Sequence, residues 1–329
     1  MSTTADGVLT RTTGRNRTAG PTPRRRSRRR TEVQETLIVI LLRLCALTSL
    51  IGLLLIIVFV FREALPVFTN AATQKEASLH HFLSTPIWQP VSDEPKYGIL
   101  PLLLGTLKTT LVAMIFGVPV ALLAALFAAE FSPHWMREIL KPVIEMLAGV
   151  PSVVLGFFGL MVLASWVQAV THSPMRLNAV SAGLALSLAV IPTVFSVAED
   201  AMRAVPRNLR EASLALGATP WQTAWHVTLP AASAGALAGV LLGLARAVGE
   251  TMVVLMVSGN ASIVSLNPFD SVRTLSATIA SEMAEVVVGS PHYSTLFFLG
   301  ALLFVITFLI NMAAGFFVGR LRAKLTGNA

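Results

Sequence analysis

The sequence predicts an all-α membrane protein with about six transmembrane helices. Two observations carry this. First, 54% of the 329 residues are hydrophobic, only 13% are charged, and the mean hydropathy is +0.71, whereas a soluble domain carries about 25% charged residues. Second, the apolar residues fall in separated blocks, several of them near the ~20 residues a helix needs to cross ~30 Å of hydrocarbon. Helices are expected rather than barrel strands, because lipid offers backbone groups no partners and no alternating β pattern is present.

The chain opens on a basic arm. Nine arginines precede residue 31, including those of RRRSRRR at 24–30, among Thr, Gly, Pro and Ser. Such a stretch buries no core, so residues 1–36 are expected to form a disordered cytoplasmic arm. Arginines just before a span fix topology and touch anionic lipid headgroups; nucleic-acid binding is not expected of them. A cleaved signal peptide fits poorly, since the apolar run that follows is of spanning length.

The membrane domain is expected over residues 37–322, followed by a cytoplasmic tail at 323–329. Its spans are predicted at Leu37 to Phe61, Leu102 to Ala129, Val143 to Val167, Ala179 to Ala198, Ala231 to Ser258 and Thr295 to Val318. Residues 62–99, with Pro66, Pro86, Pro90 and Pro95, read as an external loop, and 259–294 as another. Cys45 stands alone in the first span and reads as a small buried apolar side chain. Pro119 and Pro192 read as kinks. Gly149, Pro151 and Gly156 in AGVPSVVLG read as a helix interruption, which either lines a transport path or is a kink satisfied by neighbouring helices. Gly235, Gly239 and Gly243 suit a close helix interface.

Basic residues set the orientation. With the N-terminus in the cytoplasm, inside segments hold the arginine run, Arg137, Lys141, Arg203, Arg207, Arg210, Arg320, Arg322 and Lys324. Outside segments hold Arg62, Lys75, Lys96, Arg176 and Arg273. This bias predicts both termini in the cytoplasm, in keeping with an even number of spans.

Between the fourth and fifth spans, residues 199–230 form a polar and amphipathic cytoplasmic stretch. A short helix beginning near Leu209 would carry Ala212, Ala215 and Leu216 on a small apolar face. Gly217 suits a helix end that needs a positive φ, Pro220 permits a new start, and Pro230 marks the entry to the fifth span. By pattern alone this is either a docking knob or an ordinary loop. The spacing Glu211-Ala212-Ser213, three residues, Gly217, nine residues, Val227-x-Leu229-Pro230 resembles the coupling motif of bacterial ABC importer permeases. Ser213 for alanine and Val227 for isoleucine are mild departures. YGILPLLLGTL at 97–107, EMLAGVPSVVLG at 145–156, LGLARAVGETM at 242–252 and SEMAE at 281–285 are similar to PstC-type permeases of phosphate importers. Met252-Val253-Val254 after Thr251 favours that type over the sister permease PstA.

The resemblance implies the type I ABC importer permease fold. It implies that Glu211, Ala212, Ser213, Gly217, Val227, Leu229 and Pro230 couple the chain to an ATP-hydrolysing subunit. It also implies a PstA-like second permease, a dimer of ATP-binding subunits, an external phosphate-binding protein, membrane lipids around the spans, and inorganic phosphate as substrate. No Gly-rich Lys-Ser/Thr phosphate loop occurs, so ATP and Mg are expected on the partner ATPase. No enzyme activity and no cofactor are expected of this chain. His80, His81, His134, His172, His226 and His292 lack zinc-site spacing, and no metal site is expected.

One charged pair interrupts the fifth span. Arg246 and Glu250 are four residues apart, within reach on one helix face, and such charges need to be paired, hydrated or used. With Thr251 they are the candidate translocation-path residues. Arg246 offers a planar fork for phosphate oxygens, and Glu250 could neutralise it between substrates. The other reading is a permanent salt bridge that fixes packing. Permeases of other oxyanions such as sulfate or molybdate, a stand-alone secondary transporter, and a non-transporting scaffold or phosphate-sensing subunit remain as alternatives.

Overall fold

A computed structural model describes residues 25–77 and 79–325. Its contacts divide the chain into two units, Met1–Ile57 and Val58–Ala329. The first holds most of helix α1 (Arg25–Ala64), which is mainly apolar from Leu37 to Phe61 apart from Arg43, as lipid requires; Cys45, expected to be buried, is exposed on it. The helix begins at Arg25, so residues 25–36 are helical rather than part of an unstructured arm; the expectation for residues 1–24 falls outside the described residues.

The second unit continues α1 into three short helices, α2 (Pro66–Thr69), α3 (Ala71–Glu76) and α4 (Leu79–Ser84), and a two-stranded hairpin. In the hairpin β1 (Trp88–Gln89) pairs antiparallel with β2 (Lys96–Tyr97). The segment expected to be a simple external loop is therefore folded. Pro66 opens α2, Pro86 and Pro90 follow α4 and β1, and Pro95 precedes β2, while Phe82, Trp88 and Tyr97 are buried in a small core with Leu102, Leu275, Leu296 and Leu299.

The remaining helices follow in order. They are α5 (Leu100–Leu126), α6 (His134–Ala148), α7 (Ser152–Phe158), α8 (Ala164–Thr171), α9 (Ala179–Arg203), α10 (Arg207–Ala215), α11 (Pro220–Thr223), α12 (Leu229–Ala231), α13 (Ser233–Gly249), α14 (Met252–Val257), α15 (Leu275–Glu282) and α16 (Pro291–Leu325). Three π-helical segments, Phe127–Phe131, Gly159–Leu163 and Ala224–Thr228, extend or join them. Among the described residues, five stretches are long and apolar enough to span: Gln34–Thr69, Leu100–Phe131, Ser152–Thr171, Ala179–Arg203 and Pro291–Leu321. A sixth is the pair Pro220–Ala231 and Ser233–Gly249, bent by 70°.

Two spans differ from the sequence expectation. The third begins at Ser152, not Val143. Pro151 lacks an N–H and disfavours helical geometry at Val150, so AGVPSVVLG divides amphipathic α6 from the span. The fifth is bent at Ala232 and ends at Gly249. Glu250 is extended (φ −69°, ψ 134°). Its Oε1 accepts the Thr251 N–H at 3.1 Å, and its carbonyl accepts the Ser276 hydroxyl at 2.7 Å. These bonds compete with the helical ladder, and the chain restarts as α14.

At the centre lies α9, packed against α5 and α13 through small residues. The glycine series on α13 serves this contact within the chain. A Cβ on Gly235 would stand 2.3 Å from the Ala201 Cβ, and one on Gly243 2.6 Å from Val194 Cγ2. Close backbone approach replaces the hydrophobic driving force that lipid removes. Gly235→Ala should therefore lower the thermal stability of the purified protein by about 1–3 kcal/mol, an overpacking cost. Gly315→Ala, where a Cβ meets nothing within 4 Å, should leave it unchanged.

Candidate functional site

The knob is built by local sequence. Helix α10 starts after Pro206 and ends in a Schellman turn, in which Gly217 N–H bonds Leu214 O at 3.0 Å and Ala218 N–H bonds Ser213 O at 3.2 Å. Gly217 has φ +84°, the left-handed conformation this turn requires. Thr219 then caps α11 reciprocally with Gln222, and Pro220 takes the first helical position. Glu211, Ala212, Ala215, Leu216 and Gly217 are exposed, whereas Ser213 is half-buried and bonds the Thr223 hydroxyl at 2.9 Å. Val227 and Leu229 are half-buried and Pro230 is exposed. Beside the knob, Trp221 stacks on Trp225 at 5.8 Å and lies 6.0 Å from Phe131. The exposed surface combines small and apolar side chains, Ala212, Ala215 and Leu216, with the charged Glu211.

The second part lies near mid-bundle. Arg246, in the last turn of α13, donates from an Nη to Thr193 Oγ1 at 2.8 Å, and Thr193 is close to the middle of α9. The expected Arg246–Glu250 contact is not formed: Glu250 has left the helix, and among the described residues no carboxylate is in ion-pair range of Arg246. Arg246 is exposed, Glu250 and Thr251 are half-buried, and Gly249 borders open space. The guanidinium thus meets a neutral hydroxyl and keeps most of its donors free.

Sequence reading did not foresee two charge clusters, each gathered around one carboxylate of little or no exposure. At the bundle end that carries α10, Glu199 is fully buried and meets Lys141 at 2.9 Å and Arg203 at 3.4 Å. Lys141 also binds Asp200. Burial opposes the Lys141 charge, but hydrogen bonds and charge from Asp200 and Glu199 outweigh it, so its pKa is raised above the ordinary lysine value. Arg137 closes the π segment after α5 by donating to the carbonyls of Ala128, Ala129 and Ser132. At the opposite end, Glu282 meets Arg273 and His292, each at 2.9 Å, and accepts the Trp88 indole N–H at 3.1 Å. This second cluster fastens the hairpin to α15. Only SEMAE pointed toward it, through resemblance alone. Among the described residues no three His, Cys, Asp or Glu side chains converge on a metal position.

A membrane bundle with a rigid knob at one end, and an arginine at mid-depth on a helix bent at one end and broken at the other, is the architecture of a transport permease. The chain belongs to the family of inner membrane components of binding-protein-dependent transport systems, whose profile matches residues 117–325. It is 37% identical over 286 residues to the probable ABC transporter permease protein YqgH of Bacillus subtilis, covering 87% of this chain and 90% of that one. It is 33% identical over 296 residues to the phosphate transport system permease protein PstC of Mesorhizobium japonicum, covering 84% and 90%. To PstC 1 of Mycobacterium tuberculosis it is 36% identical over 240 residues, covering 66% and 71%.

Two solved structures share the fold. A bacterial ABC transporter involved in the import of the acidic polysaccharide alginate aligns with TM-score 0.59 and 14% identity, over 90% of this chain and 99% of that one. The inward-facing MetNI methionine ABC transporter aligns with TM-score 0.52 and 19% identity, over 67% and 96%. The fold is that of the type I ABC importer permeases.

The Glu199 cluster makes a stability prediction. Lys141→Met removes one of two cations from a buried carboxylate, and should cost up to about 3 kcal/mol in thermal denaturation, at the low end for a broken buried pair. Because the Lys141 pKa is raised, its contribution is complete at neutral pH and is lost only as pH climbs through the raised value. The difference between wild type and variant should therefore hold from neutral to mildly alkaline pH and shrink only in strong alkali.

Proposed function

We propose that this chain is one of two membrane permeases of an ATP-driven phosphate importer. The observation that carries the reading is the exposed guanidinium of Arg246 near mid-bundle. A cation held there by a neutral threonine, without a carboxylate, suits transient contact with an anion in transit. The PstC relatives support phosphate as that anion.

In this reading both termini are cytoplasmic, as the basic residues and six spans favour. A PstA-like permease completes the path, and an external binding protein delivers phosphate to its outer mouth. A dimer of ATP-binding subunits docks on Glu211 to Gly217 and carries the ATP and Mg. This chain itself changes no covalent bond. Closure of the ATPases moves α10, and the bend at Ala232 passes that motion to α13, which carries Arg246. The break at Glu250–Thr251 lets α13 swing without dragging α14, so the arginine alternates between the two sides. Glu250 acts here as part of the hinge, not as the standing partner of Arg246.

Reconstitution with the other subunits tests the assignment. Proteoliposomes should accumulate labelled phosphate only with ATP and binding protein, and excess unlabelled phosphate should compete while sulfate and molybdate do not. Competition by sulfate or molybdate at equal concentration would reassign the substrate, and uptake by the isolated chain without ATP would refute the ABC mechanism.

A further inference from the structure

Helix α10 cannot transmit motion unless something fastens it to the membrane bundle. Its exposed residues are free to meet a partner, so the fastening falls on side chains turned inward. Arg210, one residue before the knob's Glu211, is 20% exposed and touches three separate elements. An Nη stands 2.9 Å from Glu130 Oε1, in the π segment that ends the second span. The same nitrogen donates to the carbonyl of Met202 at 2.7 Å, in the last turn of α9. Its Nε reaches the hydroxyl of Thr228 at 3.5 Å, in the π segment that leads into the fifth span. Glu130 is 13% exposed, and its Oε1 receives no aligned hydrogen bond. Charge attraction, rather than a directed bond, therefore holds the pair.

We propose that Arg210 and Glu130 are the positioning residues that couple the knob to the spans. A π segment carries an extra residue per turn, is rare, and recurs at functional sites. The second span ends in one and the fifth span begins in another, and a single guanidinium joins both to α10. A push on α10 therefore reaches spans two, four and five at once. Without the pair, α10 keeps its backbone connection, its Ser213–Thr223 bond and the Arg210–Met202 bond, but its charged tie to the second span is gone. ATPase closure would then move the knob while Arg246 stays behind.

This inference rests on the importer reading and is tested in the same reconstituted complex, by phosphate moved per ATP hydrolysed and by subunit co-purification. Glu130→Arg and Arg210→Glu should each leave the ATPase subunits bound while phosphate per ATP falls about tenfold or more, within the 5–150-fold typical of site-to-site coupling. The double reversal restores the ion pair but not the Arg210 bonds to Met202 and Thr228, so it should recover part of the wild-type ratio. Glu130→Gln keeps the shape and loses the charge, and should show the same uncoupling if the reversals disturb folding. Wild-type phosphate per ATP in assembled Glu130→Gln, or a double reversal as defective as either single, overturns the inference and leaves the importer reading standing. Loss of assembly in every variant, the double included, assigns the pair a folding role and also overturns it. A wild-type complex that hydrolyses ATP without moving phosphate defeats both.

Discussion

Charge inside an apolar bundle must be partnered or put to use, and this constraint organises the molecule. At the α10 end, Glu199 is met by Lys141 and Arg203; at the other, Glu282 is met by Arg273 and His292. In both clusters a carboxylate of little or no exposure is met by two basic side chains. Arg246 differs. It lies near the middle of the bundle, bonds a neutral hydroxyl, and leaves donors exposed. On the proposed importer reading, a guanidinium with spare donors there is available to meet an anion in transit.

The backbone around Arg246 answers to the same constraint. Helix α13 is bent away from α12 by 70° and broken from α14 at Glu250–Thr251. Each interruption exposes polar backbone that lipid cannot satisfy. Inside the protein it is met: Ser276 takes the Glu250 carbonyl, and the Glu250 side chain takes the Thr251 N–H. In the proposed cycle the segment between these two interruptions moves as a unit. The glycines of α13 let it pack closely on α9.

Local features were legible in the sequence. The turns of the knob were readable at Gly217 and Pro220, because these act on their own backbone; the Thr219 cap was not read. Hydropathy found the spans, because each must be apolar to exist in lipid. Features that depend on distant partners were not legible. Arg246 and Glu250 have helical spacing, and nothing nearby in sequence announces that Ser276 will draw the Glu250 carbonyl away. The prolines of residues 62–99 hid the core formed by Phe82, Trp88 and Tyr97. Arg210 and Glu130, like Lys141 and Glu199, meet only after the chain has crossed the membrane between them, so neither pair has a sequence signature.

The central claim is that Arg246 meets the transported anion through its forked guanidinium and does not merely brace two helices. The most direct measurement is phosphate uptake by the assembled importer carrying Arg246→Lys, a change that keeps the charge and removes the fork. The account predicts a complex that assembles at wild-type levels and keeps its ATPase, with phosphate uptake reduced at least about tenfold, the loss of roughly 1.4 kcal/mol of anion contact. Normal uptake by that variant would contradict it, and would make Arg246 a packing residue.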